Sequence, residues 1–372
     1  MSSEVPKHWQ ESALGDLCQI AIGGTPPRHK QEYWATNDGG HPWVAISDMR
    51  DAVILRTKER ITDAGVANSN VKPVPAGTVL MSFKLTIGRV AVAGTDLFTN
   101  EAIAAFQPGA KLDKSFLPYW LEHIVANAET DQAIKGATLN KKKLAALSGV
   151  LPPLDEQQRI AEVLRSVDEA IAAAREAVGQ AKSTLEAATT SLAGLAASSP
   201  DWRHGRCDSF FVLQRGFDIT ERKASPGPYR VISSSGPTYW HLKSAVEGPA
   251  VITGRKGRLG TVFYSDEACW PHDTTLWVKD FKGNHPRFVY WKLREMDLKA
   301  YDAATSVPTL NRNNVHSLEL AVPPLAQQIA ISDALDAISS SIEHEEEHLA
   351  ALQSLKSSVS QDLLAGRVRV PA

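Results

Sequence analysis

Residues Leu151–Ile171 read LPPLDEQQRIAEVLRSVDEAI, and residues Val322–Ile342 read VPPLAQQIAISDALDAISSSI. The two stretches lie 171 residues apart without a gap, prolines on prolines and isoleucines on isoleucines. Upstream, Thr138-Leu139-Asn140 faces Thr309-Leu310-Asn311 at the same distance. A register held this long is a duplication. After each proline pair the apolar residues fall at helical spacing, and in the first copy they settle into heptads. Val167, Ala174, Ala181 and Ala188 take one core position; Ile171, Val178, Leu185 and Leu192 take the other. The second copy answers with Ile331, Leu335, Ile338, Ile342, Leu349, Leu352, Val359 and Leu363. Sevenfold spacing over several heptads predicts a coiled coil, and an Ala-rich seam facing a Leu/Ile-rich one suits two stems packed on each other. Each run of about 40 residues makes a rod about 60 Å long. Prolines hold the preceding backbone extended, and Asp155 with Gln158 forms a capping box that Ala326 and Ile329 lack.

The segments between the stems read as strand-rich heads. HPWVAISDM, AGTVLMSF, GRVAVAG and EAIAAFQP in the first, and YRVISSSG, GPAVITGR, GTVFYS and TTLWVKD in the second, are short alternating runs bounded by Gly, Pro or Asp. Short helices follow in SFLPYWLEHIV and PRFVYWKLREM. Both heads open on a Trp and an apolar run to a Gly, Trp9 to Gly23 and Trp202 to Gly216. Gly77 aligns with Gly248 and Lys84 with Arg255, with one insertion before Gly260. The expected organisation is head 1–150, stem 151–199, head 200–322 and stem 323–372. The fold class is α+β: two strand-rich α/β domains separated by two long helices in an antiparallel coiled coil, with an internal pseudo-twofold repeat.

A chain of 372 residues is too long for one ordinary core. Its 43% hydrophobic and 22% charged residues suit a soluble globular protein. Cys18, Cys207 and Cys269 have no close spacing, which argues against a disulfide framework and fits a reducing cytoplasm. The first residues carry no secretion signal and no apolar run approaches a membrane span. The net charge of −2 hides an alternation: +1 over 1–150, −3 over 151–200, +4 over 201–322 and −4 over 323–372. Basic heads on acidic stems make the heads the anion-binding surfaces.

No nucleotide loop, nucleophile elbow, paired-Cys motif or methyltransferase tetrapeptide is present. HEEEH, His344–His348, satisfies a zincin pattern, but it lies within a stem with no third histidine downstream, so a solvated acidic helix face is the plainer reading. No catalytic residue, metal ligand or cofactor is assigned. The heads offer basic loops instead. TGRKGRLGT sets Arg255, Lys256 and Arg258 among three glycines, and SFKLTIGRV carries Lys84 and Arg89. Asn140, Lys141 and Lys142 in GATLNKKK, and Asn311 and Arg312 in SVPTLNRNN, close each head. Thr25 and Arg28 in GGTPPRHKQEYW add a further candidate. Glycine admits close backbone approach, Arg and Lys pair phosphates or the guanine edge, and Asn pairs adenine. The bland alternative is a set of solubilising hairpins. Trp43, Trp240 and Trp270 read as core.

Two divergent heads, each followed by PPL…QQ and a long helix, resemble the specificity subunits of type I restriction–modification systems. GGTPP…EYW…HPWVAISDM…GTVLMSF…GRVAV…TNEAI in the first head, and VITGRKGRLGTVF…DTTLWV…VPTLNR in the second, are similar to target-recognition domains of that family, and the resemblance covers nearly the whole chain. It implies that each head reads one part of a bipartite, asymmetric target in double-stranded DNA. The paired stems set the gap and dock two methyltransferase subunits that modify adenine N6, and restriction subunits complete the complex. On this reading Leu151, Pro152, Pro153, Leu154 and Gln157, with Val322, Pro323, Pro324, Leu325 and Gln328, form the docking surfaces. Asp155 and Glu156 face Ala326 and Gln327, which sets the two docking sites apart. The competing class is a coiled-coil adaptor whose heads bind protein.

Overall fold

The computed structural model of the chain describes residues 5–36, 39–84, 86–130, 139–198, 200–302 and 308–371. Thr138, from the repeated Thr-Leu-Asn, and the side chain of Leu192, from the heptads, fall outside them. Two long helices, Leu154–Ser198 and Leu325–Leu364, begin directly after the proline pairs. The chain divides into two compact units. The first holds residues 1–173 and 349–372, the second 174–348, so each unit takes one head and a portion of both stem helices.

In the first unit Asp168 on one stem helix pairs with Lys356 on the other at 2.6 Å, and Glu156 at the start of the first pairs with Arg369 just past the end of the second. In the second unit Lys182 pairs with Glu346 at 2.6 Å, and Trp202, beyond the first helix, donates to Gln327 near the start of the second. Advancing along one helix means retreating along the other, so in each unit they run antiparallel. Ile171, Ala174, Val178, Leu335 and Ile342 are buried, as the heptads require.

Each head is closed by pairing its first strand with its last. Gln10–Ala13 lies antiparallel to Ser148–Leu151, and Arg203–Arg206 to Glu319–Val322. The larger sheets share an order. In the first head Cys18–Ile22, Ile103–Pro108, Val79–Ser82 and Val90–Ala93 lie side by side, with Val53–Ile54 added at the edge. In the second Val212–Arg215, Thr275–Asp280, Ala250–Gly254 and Val262–Ser265 follow the same order. Ser82 faces Ile103 and Gly254 faces Thr275. The Phe83 amide donates to Ala102 and the Arg255 amide to Thr274, both at 2.9 Å. All these equivalents lie 172 apart rather than 171. Lys84 therefore corresponds to Lys256, which corrects the alignment of Lys84 with Arg255: between these strands and the repeated Leu-Asn the first head has one residue more.

Apolar faces of these sheets pack on the head helices Leu117–Thr130 and Pro286–Glu295. The first core joins Trp9, Phe106, Phe116 and Trp120 to Ile160 and Leu164 of one stem helix and Leu363 and Leu364 of the other. The second gathers Phe211, Leu276, Phe288 and Leu293, with Ile331 against them.

The repeated glutamines hold head to stem. Gln157, fully buried, donates to Pro152 O (2.8 Å) and Lys111 O (3.0 Å) and accepts from the Asp113 amide (2.8 Å). Gln328, 1% exposed, donates to Pro323 O (2.9 Å) and the Asn284 side chain (2.8 Å) and accepts from the His285 amide (2.8 Å). The capping box does not form. The first helix starts at Leu154, which places Asp155 in its first turn against Arg159, and Gln158 donates to Asp113 instead.

Burial raises the thiols of Cys18 and Cys207 to about 12 and that of Cys269 to about 11, so all three are protonated and unreactive at neutral pH. Among the described residues no helix is long and apolar enough to cross a membrane, and no three His, Cys, Asp or Glu side chains gather as metal ligands. His344 instead faces its own helix, Nδ1 lying 2.8 Å from Ser340 O.

Candidate nucleic-acid interface

In the first head three of the sequence candidates converge on one carboxylate. Thr25 Oγ1 donates to Glu101, and Lys84 and Arg28 stand close enough to act on its charge. The Thr25 hydrogen bond prevails over the opposing effect of burial and, aided by the two cations, holds the Glu101 carboxyl below the usual carboxylate range. Arg28 is not a free cation. Its guanidinium makes two hydrogen bonds to Glu59 and lies over the Trp34 ring, 3.9 Å from the centroid. A guanidinium held flat in this way is a preorganised fork. Arg89 is exposed at the end of the hairpin that Gly88 turns with φ +82°.

Asn140 is exposed, and its Oδ1 caps the short helix Lys141–Ala145 by accepting from the Lys143 amide (2.9 Å), which commits that oxygen to the backbone. Lys141 and Lys142 are exposed in its first turn. Lys141 lines a groove of about 540 Å³ with Gln19, Lys72 and Gln107, none of which belongs to the Glu101 cluster.

In the second head the two candidate clusters become one surface. The Leu310 amide donates to Arg255 O (2.8 Å), the Gly257 amide donates to Pro308 O (3.1 Å), and Lys256 bridges to Thr309. Lys256, Arg258, Asn311 and Arg312 are exposed on the joined segments. Gly254 permits the tight return: a Cβ there would lie 1.8 Å from Arg258 O. Arg255 is half-buried and reaches Asp273 O at 3.3 Å. Burial first, and Arg215 second, lower its pKa, while Asp273 opposes them. Asn311, like Asn140, spends its side-chain oxygen on a cap, accepting from the Asn313 amide (3.0 Å).

Three features escape the sequence reading. Arg215 pairs with Asp273 at 2.7 Å, immediately before the glycine that matches Gly23. Glu101 and Asp273 sit amid the cations. Trp240, expected in the core, is 49% exposed with Arg230 stacked 4.7 Å from its centroid, because its strand lies at the edge of a three-stranded sheet. Trp43 is buried as expected and Trp270 half-buried.

The docking residues also divide. Leu151, Pro152 and Gln157, with Val322, Pro323 and Gln328, are buried within their own units and cannot face a partner; the glutamines have spent their amides on the head. Pro153, Leu154, Pro324 and Leu325 remain on the surface, and Ile329 joins them at 40% exposure.

Comparison with known proteins matches this arrangement to one family. The family described as type I restriction modification DNA specificity domain matches residues 6–178 and 212–354. The chain belongs to that family. The specificity subunit of the type I restriction enzyme MjaIX of Methanocaldococcus jannaschii is 28% identical over 45% of this chain. That of the Escherichia coli enzyme EcoR124I/EcoR124II is 27% identical over 42% of it. Each match spans 40% of the relative's own length. Among solved structures, the S subunit of a type I restriction–modification system from M. genitalium superposes with a TM-score of 0.64 at 14% identity, covering 98% of this chain and 97% of that one. A chain from a study of assembly and conformational transition in the type I system gives 0.62 at 16%, covering 98% and 100%. At these identities the agreement is one of fold.

Proposed function

We propose that the chain is the DNA-reading subunit of a type I restriction–modification complex and is itself not catalytic. Each head reads one part of a bipartite, asymmetric target in duplex DNA, and the paired stem helices set the gap. The observation that carries this reading is the repeated placement of Lys84 and Lys256 at one register of two equivalent sheets, with further cations gathered beside Glu101 in one head and Asp273 in the other. Cations presented just past the ends of central sheet strands suit phosphate and guanine contacts, and heads of different sequence suit different half-sites. The net head charges of +1 and +4 are modest, so partners supply much of the phosphate contact.

Those partners are two methyltransferase subunits modifying adenine N6, docked on the exposed Pro153 and Leu154 and on Pro324, Leu325 and Ile329, with restriction subunits added in the full complex. The test is to co-express the chain with its methyltransferase and map methylated adenines across a genome. A gapped two-part motif is expected; failure to co-purify, or an ungapped motif, overturns the reading. Inserting one heptad into both stem helices should lengthen the gap and leave both half-sites unchanged.

A further inference from the structure

Each head presents a carboxylate on the same turn. In the first, Asn100 Oδ1 accepts the Ala102 amide (3.0 Å), Asn100 O the Ile103 amide (3.2 Å) and Thr99 O the Gly24 amide (2.8 Å). In the second, His272 Nδ1 accepts the Thr274 amide (3.3 Å), His272 O the Thr275 amide (2.9 Å) and Pro271 O the Phe217 amide (2.8 Å). A glycine backs both: a Cβ on Gly23 would meet Thr99 O at 2.2 Å, and one on Gly216 would meet His272 O at 2.2 Å. The turn residues differ between the heads, Asn against His and Ala against Thr, but the residue between them is acidic in each, Glu101 and Asp273.

The groups around the two acids come from different places. Glu101 accepts a hydrogen bond from Thr25, and Lys84 and the Glu59-bound Arg28 stand near enough to act on its charge. Asp273 pairs with Arg215 (2.7 Å) and His272 (3.2 Å), and Arg255 reaches its backbone O at 3.3 Å. Neither carboxylate is needed for the turn, whose bonds are made by the backbone and by Asn100 or His272. On a surface meant only to attract phosphate, a carboxylate is a liability, because like charges brought together cost binding. Its recurrence beside both sets of cations calls for a role that attraction does not supply.

Resting on the DNA-reading function above, we propose that Glu101 and Asp273 are specificity-determining residues that reject non-specific duplex. In a wrong register a phosphate drawn to these cations must lie against the carboxylate. In the right register the cations turn to base edges, which carry dipoles and no net charge, so the carboxylate does not oppose them. Discrimination then comes from a built-in repulsion against the wrong partner.

The test compares the full chain, co-expressed and assembled with its methyltransferase, with its Glu101→Gln and Asp273→Asn variants. Probes are poly(dI-dC) as non-specific duplex and the sequence that the unaltered chain enriches from a random duplex library. Each variant should bind poly(dI-dC) roughly three- to tenfold tighter at about 0.1 M salt, with a salt dependence steeper by about one, and should lose preference for the enriched sequence. Glu101→Asp and Asp273→Glu keep the charge and should restore the preference. Unchanged or weaker poly(dI-dC) binding by folded variants overturns the proposal, as does a preference that survives neutralisation. If the unaltered chain, assembled with its methyltransferase, retains no duplex and enriches no sequence, the DNA-reading function itself falls and takes this inference with it; that failure appears before any variant is compared.

Discussion

The two head–stem junctions share one glutamine and differ at the residue before it. Gln157 and Gln328 bind their proline carbonyls at 2.8 and 2.9 Å, and each accepts a head amide at 2.8 Å. Their neighbours part ways. Glu156, 2% exposed, receives Trp9 (3.1 Å), His8 (3.3 Å) and both arms of Arg369, whereas Gln327 is exposed and receives Trp202 alone among the described residues. Burial pushes the Glu156 pKa up, but hydrogen bonds from Arg369, Trp9 and His8 outweigh it and leave the carboxyl below its usual range. The shared glutamine does what every copy of the repeat must do, which is to fix a head on a helix. The glutamate does what only the first junction needs, binding the segment that follows the second stem helix. Duplication kept the common constraint and left the adjoining position to its local company.

That comparison can be broken in order of force. Gln157→Ala and Gln328→Ala each strand a buried amide and a proline carbonyl, and each should destabilise its own head by about 3 kcal/mol. Hydrogen exchange of the Ile103–Pro108 and Thr275–Asp280 amides reports the two separately. Clearly unequal losses would show that the latches are not equivalent. Glu156→Gln should cost about 1–2 kcal/mol in the first unit, since the arginine loses its charged acceptor.

The same substitution should flatten the pH response. A carboxyl whose pKa is lowered on folding contributes stability above its unfolded value, and that contribution is lost as pH falls through the folded one. The unaltered first unit should therefore weaken through Glu156, more than the variant does, as pH falls through and below the usual carboxylate range, as read by denaturation at each pH. Arg369→Ala should reproduce much of this loss. The smallest effects belong to the stems: Lys182→Ala and Lys356→Ala remove partly exposed ion pairs and should each cost less than about 1 kcal/mol in denaturant titrations.

Much of this architecture was legible along the chain because it depends on periodicity. Heptads read out the stems, alternation read out the sheet strands, and proline pairs marked where helices begin. Contacts between residues far apart in sequence were not legible. Gln157 and Gln328 invited a partner-facing role because repetition reveals that a residue matters, not what it touches. Trp240 reads as core along the chain, although an edge strand leaves one side open.

By itself, then, the sequence determined the duplication, the two helices, the strand-rich heads and the basic character of their loops, since composition and spacing act locally. Only the tertiary structure decided that Lys84 corresponds to Lys256, that Arg215 joins Arg255, and that an acid stands among the cations of each head. Those facts follow from sheet register, where one inserted residue moves a side chain to a new neighbour, and no local pattern records the neighbour.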